Sequence, residues 1–579
     1  MDAVSLPRTG TGWRQTALRA GLLFASAVVG GILLILVFYP SAVLVLQSFV
    51  VEGRLSPGHY LRIARDAATY QVLANSLVVS TWATAGGTAL GVILAWLISR
   101  TDLPGRRLWR TILLLPYMIP PFIGAIAWVY LLSPVGYANQ AWMALTGSPD
   151  PLFVIYGRTG IILVLILYGY PIVYLVTLGL FERMDPALEE AARMARAGPG
   201  RVLWDVTLPL ILPGILAGAL LLMMSSLANF GIPAILGFPA RYFVLTTRIY
   251  ATILNFDLRD NLRAAAALAM WLVVIAAVLM RLQPLVLRRR RFVVVGGQAT
   301  GRQQVALGRW RYPVVAALAV FVAVSVVLPL VAVVLTSLIR AYGLPPAREN
   351  LTLQHYATAL FGIPKVHRAV VNSLALAAGS ATLIVILAAG IGYLQARVRF
   401  RAAGILDLLI TIPYAVPGTV VALAMILAWV RPIPFVGLRL YDTIWIILLA
   451  YVARFLAFGV RTVTAGLAQV HESLEEAARI SGARPLDAFR DVVLPIIRPS
   501  LVSGWFLAFI PAVAELTLSI LLYSAGNETL GVVVFGLHDE GKIALSAAIA
   551  VLVTTLLVGI NLLTRRALEA EVGNLRWRS

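Results

Sequence analysis

The residues with the most chemistry in them come in pairs. Leu188-Glu189-Glu190-Ala191-Ala192-Arg193 recurs as Leu474-Glu475-Glu476-Ala477-Ala478-Arg479, an offset of 286. In each copy the second glutamate stands 19 residues before the proline of a Leu-Pro pair, Pro209 and Pro495. Asp185-Pro186 supplies the first copy with a helix N-cap and a first-turn proline. Ser473 and Glu476 give the second an S-x-x-E capping box. Each copy is therefore expected to be a short polar helix followed by a turn and a Leu-Pro entry into an apolar run, which makes a rigid knob. One copy alone would pass for a surface connector, but two at identical spacing would not.

Two further charges lie inside long apolar runs. Glu515 aligns at the same offset with Asn229, and Arg454 aligns with Tyr168. An ionisable residue at membrane depth is costly and is a functional hypothesis by default. A carboxylate facing a carboxamide offers hard oxygen donors to a passing cation, so Glu515 is a candidate transient metal contact, with an interhelical hydrogen bond as its alternative. Arg454 could meet an anionic substrate or chelator, or make a salt bridge to another helix. Asn229, Glu515, Arg454 and Tyr168 are thus the candidate pathway residues. The repeated Pro-Tyr-x-[Ile/Val]-Pro segments, Pro116 to Pro120 and Pro413 to Pro417, should kink their helices because proline removes a helical hydrogen bond. Such kinks serve as gate hinges or as packing geometry.

Other chemistry is excluded. There are no cysteines, hence no disulfides, thiolate metal sites or cysteine nucleophiles. The five histidines are scattered without ligand spacing. Gly536 and Gly541-Lys542 fit a phosphate-binding loop until Ile543 falls where the Mg²⁺-binding Ser or Thr should be. No cofactor is therefore expected on this chain. No clustered His/Asp/Glu constellation marks an enzyme.

The elements that position these residues follow from composition. The 579 residues are 60% hydrophobic and 13% charged, with mean hydropathy +0.89; soluble chains carry about 25% charged residues. The net charge of +21 does not mean nucleic acid, because the arginines fall between apolar runs. Runs long enough to cross a bilayer lie near 21–50, 73–99, 111–133, 160–180, 210–236 and 264–280. A second set lies near 314–339, 371–395, 406–430, 443–460, 499–523 and 543–564. The first run is too long for a cleavable signal. Of the 47 lysines and arginines, 31 fall in the segments that share a side with the N-terminus and 15 in the opposite ones. Both termini are therefore expected in the cytoplasm. The Arg288–Arg291 run reads as a topology anchor at the lipid head groups.

The expected fold is all-α and polytopic, about twelve transmembrane helices in two parallel six-helix repeats. Asn75-Ser76-Leu77 recurs as Asn372-Ser373-Leu374, and the proline segments share that offset of 297. The halves are drawn at 1–282 and 314–579, with a cytoplasmic linker at 283–313 and knob loops at 185–213 and 471–499. Equal span counts make the repeats parallel, with a substrate path between them.

The duplicated knob resembles the coupling loop of binding-protein-dependent ABC permeases, E-A-A, a glycine, then an apolar residue before L-P. Glu476-Ala477-Ala478, Gly482, Val492 and Leu494-Pro495 fit throughout. Glu190-Ala191-Ala192, Val206 and Leu208-Pro209 fit except at the glycine, where Arg196 stands and Gly198 follows two residues later. The resemblance implies the type I importer fold and a bacterial inner-membrane location. It also implies two copies of a separate ABC ATPase docked on Glu189–Ala192 with Gly198 and on Glu475–Ala478 with Gly482, and a solute-binding protein outside. Phe230–Ala234, Val244–Tyr250 and Glu515–Ser519 look like the ferric-iron importer permeases. 2-Aminoethylphosphonate and thiamine permeases share the fused layout. An ion-driven secondary carrier is the reading from another class, opposed by the duplicated knob and the scarcity of intramembrane acids.

Overall fold

The structure is a computed structural model and describes residues 26–258, 260–288, 305–344, 347–397, 403–432, 437 and 439–576. The first half runs α1 (Ser26–Ser48), α2 (Ala67–Arg100), α3 (Pro121–Leu132), α4 (Arg158–Arg183), α5 (Pro186–Met194), α6 (Leu208–Ala228), α7 (Gly231–Gly237), α8 (Leu245–Ile253) and α9 (Asn261–Arg288). The second runs α10 (Gly308–Ser337), α11 (Pro364–Arg397), α12 (Ala403–Ala415), α13 (Gly418–Trp429), α14 (Ile444–Leu467), α15 (Glu472–Ile480), α16 (Leu494–Val513), α17 (Ser519–Leu522), α18 (Leu530–Asp539) and α19 (Ile543–Arg576). Among the described residues eleven helices are long and apolar enough to span a bilayer, and the bent pair α12–α13 makes a twelfth. Of the expected linker, residues 289–304, including Arg289 to Arg291, lie outside the described residues.

In each half the second, fourth and fifth spans pack as a triad: α2, α4 and α6, then α11, α14 and α16. Small residues let them close. A Cβ on Gly91 of α2 would stand 2.9 Å from the Tyr170 carbonyl oxygen of α4, so only glycine permits this approach. The first spans are exchanged between halves: α1 packs on α13, and α10 packs on α3.

The helix of four spans widens to a π turn at one place, Leu34–Phe38, Leu203–Thr207, Ala323–Val327 and Phe489–Val493. Each π turn is followed, one residue on, by a proline: Pro40, Pro209, Pro329 and Pro495. Proline's ring collides with the carbonyl four residues back, which here lies inside the π turn, and the wider turn makes room for it. The Leu-Pro of the repeated motif therefore builds a specific joint at the entry to the fifth span.

Two expectations about spans are corrected. The third spans are not kinked but broken. In the second half the two pieces meet at 111°. In the first, Leu115–Met118 ends at an extended Ile119 (φ −92°, ψ 132°) and α3 starts afresh after Pro120. Pro120 and Pro417 are extended, φ −54° with ψ 131° and 142°, so the second proline of each motif ends one helix and lets the next begin, while Pro116 opens the short helix before the break and Pro413 lies within α12. The fifth spans stop short of 236 and 523, at Ala228 and Val513, and short helices follow each stop.

Candidate functional site

The repeated knobs form helices of nine residues, α5 and α15. Asp185 caps α5 as expected, its Oδ1 accepting the Ala187 amide at 2.9 Å. The Ser473–Glu476 box does not form. The helix starts earlier, and His471 Nδ1 accepts the Ser473 amide at 3.3 Å. A cap two residues upstream wins because it gains the extra turn residues Glu472 and Ser473.

The two glutamates of each pair face opposite ways. Glu189 and Glu475 are buried, 7% and 4% exposed, while Glu476 is exposed and Glu190 half-buried. Glu189 accepts the Thr207 hydroxyl at 2.8 Å and pairs with Arg100 at 3.6 Å and Arg193 at 4.0 Å. Glu475 accepts the Tyr393 hydroxyl at 3.0 Å and pairs with Arg479 at 3.7 Å. Ala191 and Ala477 are exposed, and Ala192 and Ala478 half-buried. Met194 and Ile480, aligned at the offset of 286, are both 86% exposed, and Leu188 and Leu474 are exposed beside them. The sequence carried this signal, two aligned apolar positions in polar helices, but sequence reasoning missed it.

Both helices end alike. Arg196 and Gly482 hold left-handed backbone, φ 59° and 95°. Ala197 donates to the Ala192 carbonyl and Ala483 to the Ala478 carbonyl, at 3.1 and 3.0 Å, the bond of a Schellman ending. Arg196 thus occupies the glycine's place, and Gly198 does not take the left-handed conformation. A non-glycine residue there costs about 1 kcal/mol. Arg196→Gly is therefore expected to raise the melting temperature of the solubilised protein slightly. A fall would mean that the arginine side chain contributes something beyond the turn.

At the far end of the fifth spans, Asn229 and Glu515 do the same work. Asn229 Oδ1 accepts the Ile232 amide at 3.0 Å, and Glu515 Oε1 accepts the Leu518 amide at 3.0 Å. Asn229 thereby holds a first-turn amide of α7, and Glu515 closes the turn that leads into α17. Glu515 thus has a structural duty besides the oxygen-donor role expected of it. The breaks meet across the halves: a Cβ on Gly231 would lie 3.6 Å from Leu516. Phe230 and Leu516 are buried there. The repeated Asn-Ser pairs of the second spans support this region. Ser76 and Ser373 accept the Leu245 and Leu530 amides at 2.7 and 2.8 Å, capping α8 and α18. Asn75 donates to Phe243, and Asn372 to Gly526 and Glu528.

Among the described residues Arg454 makes no ion pair with a carboxylate within 4 Å, and its guanidinium stands over the Tyr414 ring of α12, 5.9 Å from the centroid. Its Nη1 donates to the carbonyls of Pro413 at 2.8 Å, Tyr414 at 3.1 Å and Val416. These are the groups left free where the third span breaks. Tyr168, its counterpart, reaches the equivalent span and lies directly over Gly124 of α3. Two apolar cavities lie between the halves. One of about 290 Å³ is lined by Pro116, Ile119, Tyr168, Ser325 and Thr555, and one of about 80 Å³ by Pro40, Pro413, Val416 and Ala453. Neither includes Asn229 or Glu515. Among the described residues no three His, Asp or Glu side chains cluster as a metal site.

Two repeats with exchanged first spans, meeting at paired breaks and carrying paired polar helices at the other end, define a multi-pass membrane permease made of two fused halves. The profile of the binding-protein-dependent transport system inner membrane components matches residues 87–292 and 383–570. The chain belongs to that family: it is the permease of an ABC importer, and not an enzyme. It is similar to the ferric transport system permease FbpB of Actinobacillus pleuropneumoniae, 25% identical over 92% of this chain and 77% of that one. A putative ferric transport permease of Haemophilus influenzae is 26% identical over 85% and 77%. A putative 2-aminoethylphosphonate permease of Salmonella typhimurium is 31% identical over 42% of this chain and 87% of its own. Such a family implies an ATPase and a binding protein as partners in general.

Proposed function

We propose that this chain moves ferric iron, delivered by an external binding protein, into the cytoplasm. ATP is hydrolysed on two copies of a separate ATPase, which hold the ATP and Mg²⁺, while this chain holds no cofactor. The observation that carries the substrate is the span of the ferric relatives, which run through both halves. The phosphonate relative matches less than half of the chain at higher identity and supplies the second reading. The ATPase docks on α5 and α15, where Leu188, Met194, Leu474 and Ile480 offer exposed apolar surface among charges. The lysine and arginine bias puts that end, and both termini, in the cytoplasm. Asn229, Glu515 and the residues between them close the path at the other end, and Pro116, Pro120, Pro413 and Pro417 set the breaks on which the gate is built.

The test is uptake of radiolabelled ferric iron by iron-starved cells lacking the gene, complemented with the wild type or with Glu476→Lys. The wild type is expected to restore uptake, and the variant to reach the membrane yet leave uptake at background. Full uptake by Glu476→Lys would sink the docking assignment. Unchanged uptake in the deletion strain, with no other iron importer present, would move the substrate to 2-aminoethylphosphonate.

A further inference from the structure

The buried glutamate of each pair sits where three elements converge. In the first half Glu189 on α5 bonds Thr207, the last residue of the π turn entering α6, and pairs with Arg100, the last residue of α2. Arg100 is itself buried and donates from Nη2 to the Phe181 carbonyl near the end of α4 at 3.2 Å. One carboxylate therefore ties the knob to the ends of the whole span triad. In the second half Glu475 on α15 bonds Tyr393 of α11. The Tyr393 ring stands edge-on to Phe489, the first residue of the matching π turn, at 5.1 Å. The same triangle recurs: the Glu475–Arg479 pair stays within α15, while the Tyr393 hydroxyl and its ring contact reach the second and fifth spans.

A helix of nine residues has too little intrinsic stability to hold its own angle. Its orientation is set by what it is tied to, and a buried charge network contributes geometry more than stability. The outward faces of α5 and α15 are separate from these ties. Resting on the importer reading above, we infer that Glu189 and Glu475 are positioning residues that make the second and fifth spans follow the knobs when the ATPase moves them. Their outward neighbours Glu190 and Glu476 meet the ATPase. Without the inward carboxylates the knobs follow the ATPase and the spans stay behind.

The chain has no cysteine, so Phe256→Cys and Glu540→Cys, both on exposed positions beyond the gate, accept a unique pair of spin labels. The labelled chain, purified with its ATPase in nanodiscs, is read with and without ATP plus vanadate. The wild type should show an ATP-dependent change in label distance. Glu189→Ala and Glu475→Ala should keep the ATPase bound and hydrolysing while losing that change, and Tyr393→Phe should copy Glu475→Ala. Glu475→Gln, which loses the Arg479 pair inside α15 but keeps an acceptor for Tyr393 of α11, should restore the change, and Glu189→Gln, which loses the Arg100 pair that reaches α2, should not. A full distance change in the alanine variants, loss of bound ATPase, or Glu475→Gln no better than alanine overturns the inference. A wild-type complex that hydrolyses ATP with no distance change overturns the importer mechanism beneath it.

Discussion

Arg454→Met is expected to destabilise the second half by about 2–4 kcal/mol, read as a lower melting temperature and weaker accumulation in the membrane. The α12–α13 break frees carbonyls that no helix can satisfy, and in hydrocarbon they have no water to turn to. One guanidinium nitrogen bonds three of them, at Pro413, Tyr414 and Val416. Methionine keeps the bulk and removes every donor. Arg454→Lys should recover part of the loss, because an ammonium carries donors but lacks the planar fork that holds the geometry. The first half carries no charge at these positions, with Tyr168 where Arg454 stands and Asn229 where Glu515 stands. The paired change Arg454→Tyr with Glu515→Asn should cost less than the two single changes added together, since the two charges attract one another without touching and each single change removes that one attraction. A melting temperature unmoved by Arg454→Met would show that the break holds itself.

Met194→Asp combined with Ile480→Asp should abolish co-purification of the ATPase and leave the chain's own stability unchanged. Both side chains are 86% exposed, so aspartate displaces nothing within the chain. Buried in a partner's groove, each would act as an anchor worth about 2–4 kcal/mol, and a desolvated carboxylate in its place adds a penalty of its own. Two such losses exceed what the remaining polar contacts can offset. Retention of a tagged ATPase at wild-type yield would move the docking surface elsewhere, and a drop in melting temperature would mean these residues pack within the chain.

Hydropathy and repetition made most of this architecture readable. Twelve apolar runs, two Glu-Glu-Ala-Ala blocks and matched proline segments carry span number, duplication and the knobs, because each depends on composition over a short stretch. Whether Pro413 and Pro417 kink a helix or end it depends on donors for the freed carbonyls, and the donor, Arg454, lies some forty residues away on another span. The exchange of α1 and α10 between halves was equally hidden, since an apolar face does not name the face it packs on. Ser76 and Ser373 were visible as a repeat, but the amides they cap lie more than 150 residues onward. His471 displaced Ser473 as a cap through a choice between neighbours that the local pattern permitted equally. Arg196 broke the glycine pattern in the letter only: the backbone turns there as it does at Gly482.

The π turns at Leu203–Thr207 and Phe489–Val493 interrupt no helix. From Gly200 to Ala228 the chain is one rod of 29 residues, and from Leu486 to Val513 another of 28. At 1.5 Å per residue each is about 42 Å long. Its near end is fixed beside a knob, and its far end carries Asn229 or Glu515. Such a rod is a lever: a tilt of about 5° at the anchored end would carry the far end about 4 Å, close to the width of a side chain. The mechanical advantage is set by the number of residues between the anchored end beside the knob and the break, so lengthening or shortening that run by a turn would change the stroke at the gate while leaving the grip on the ATPase as it is.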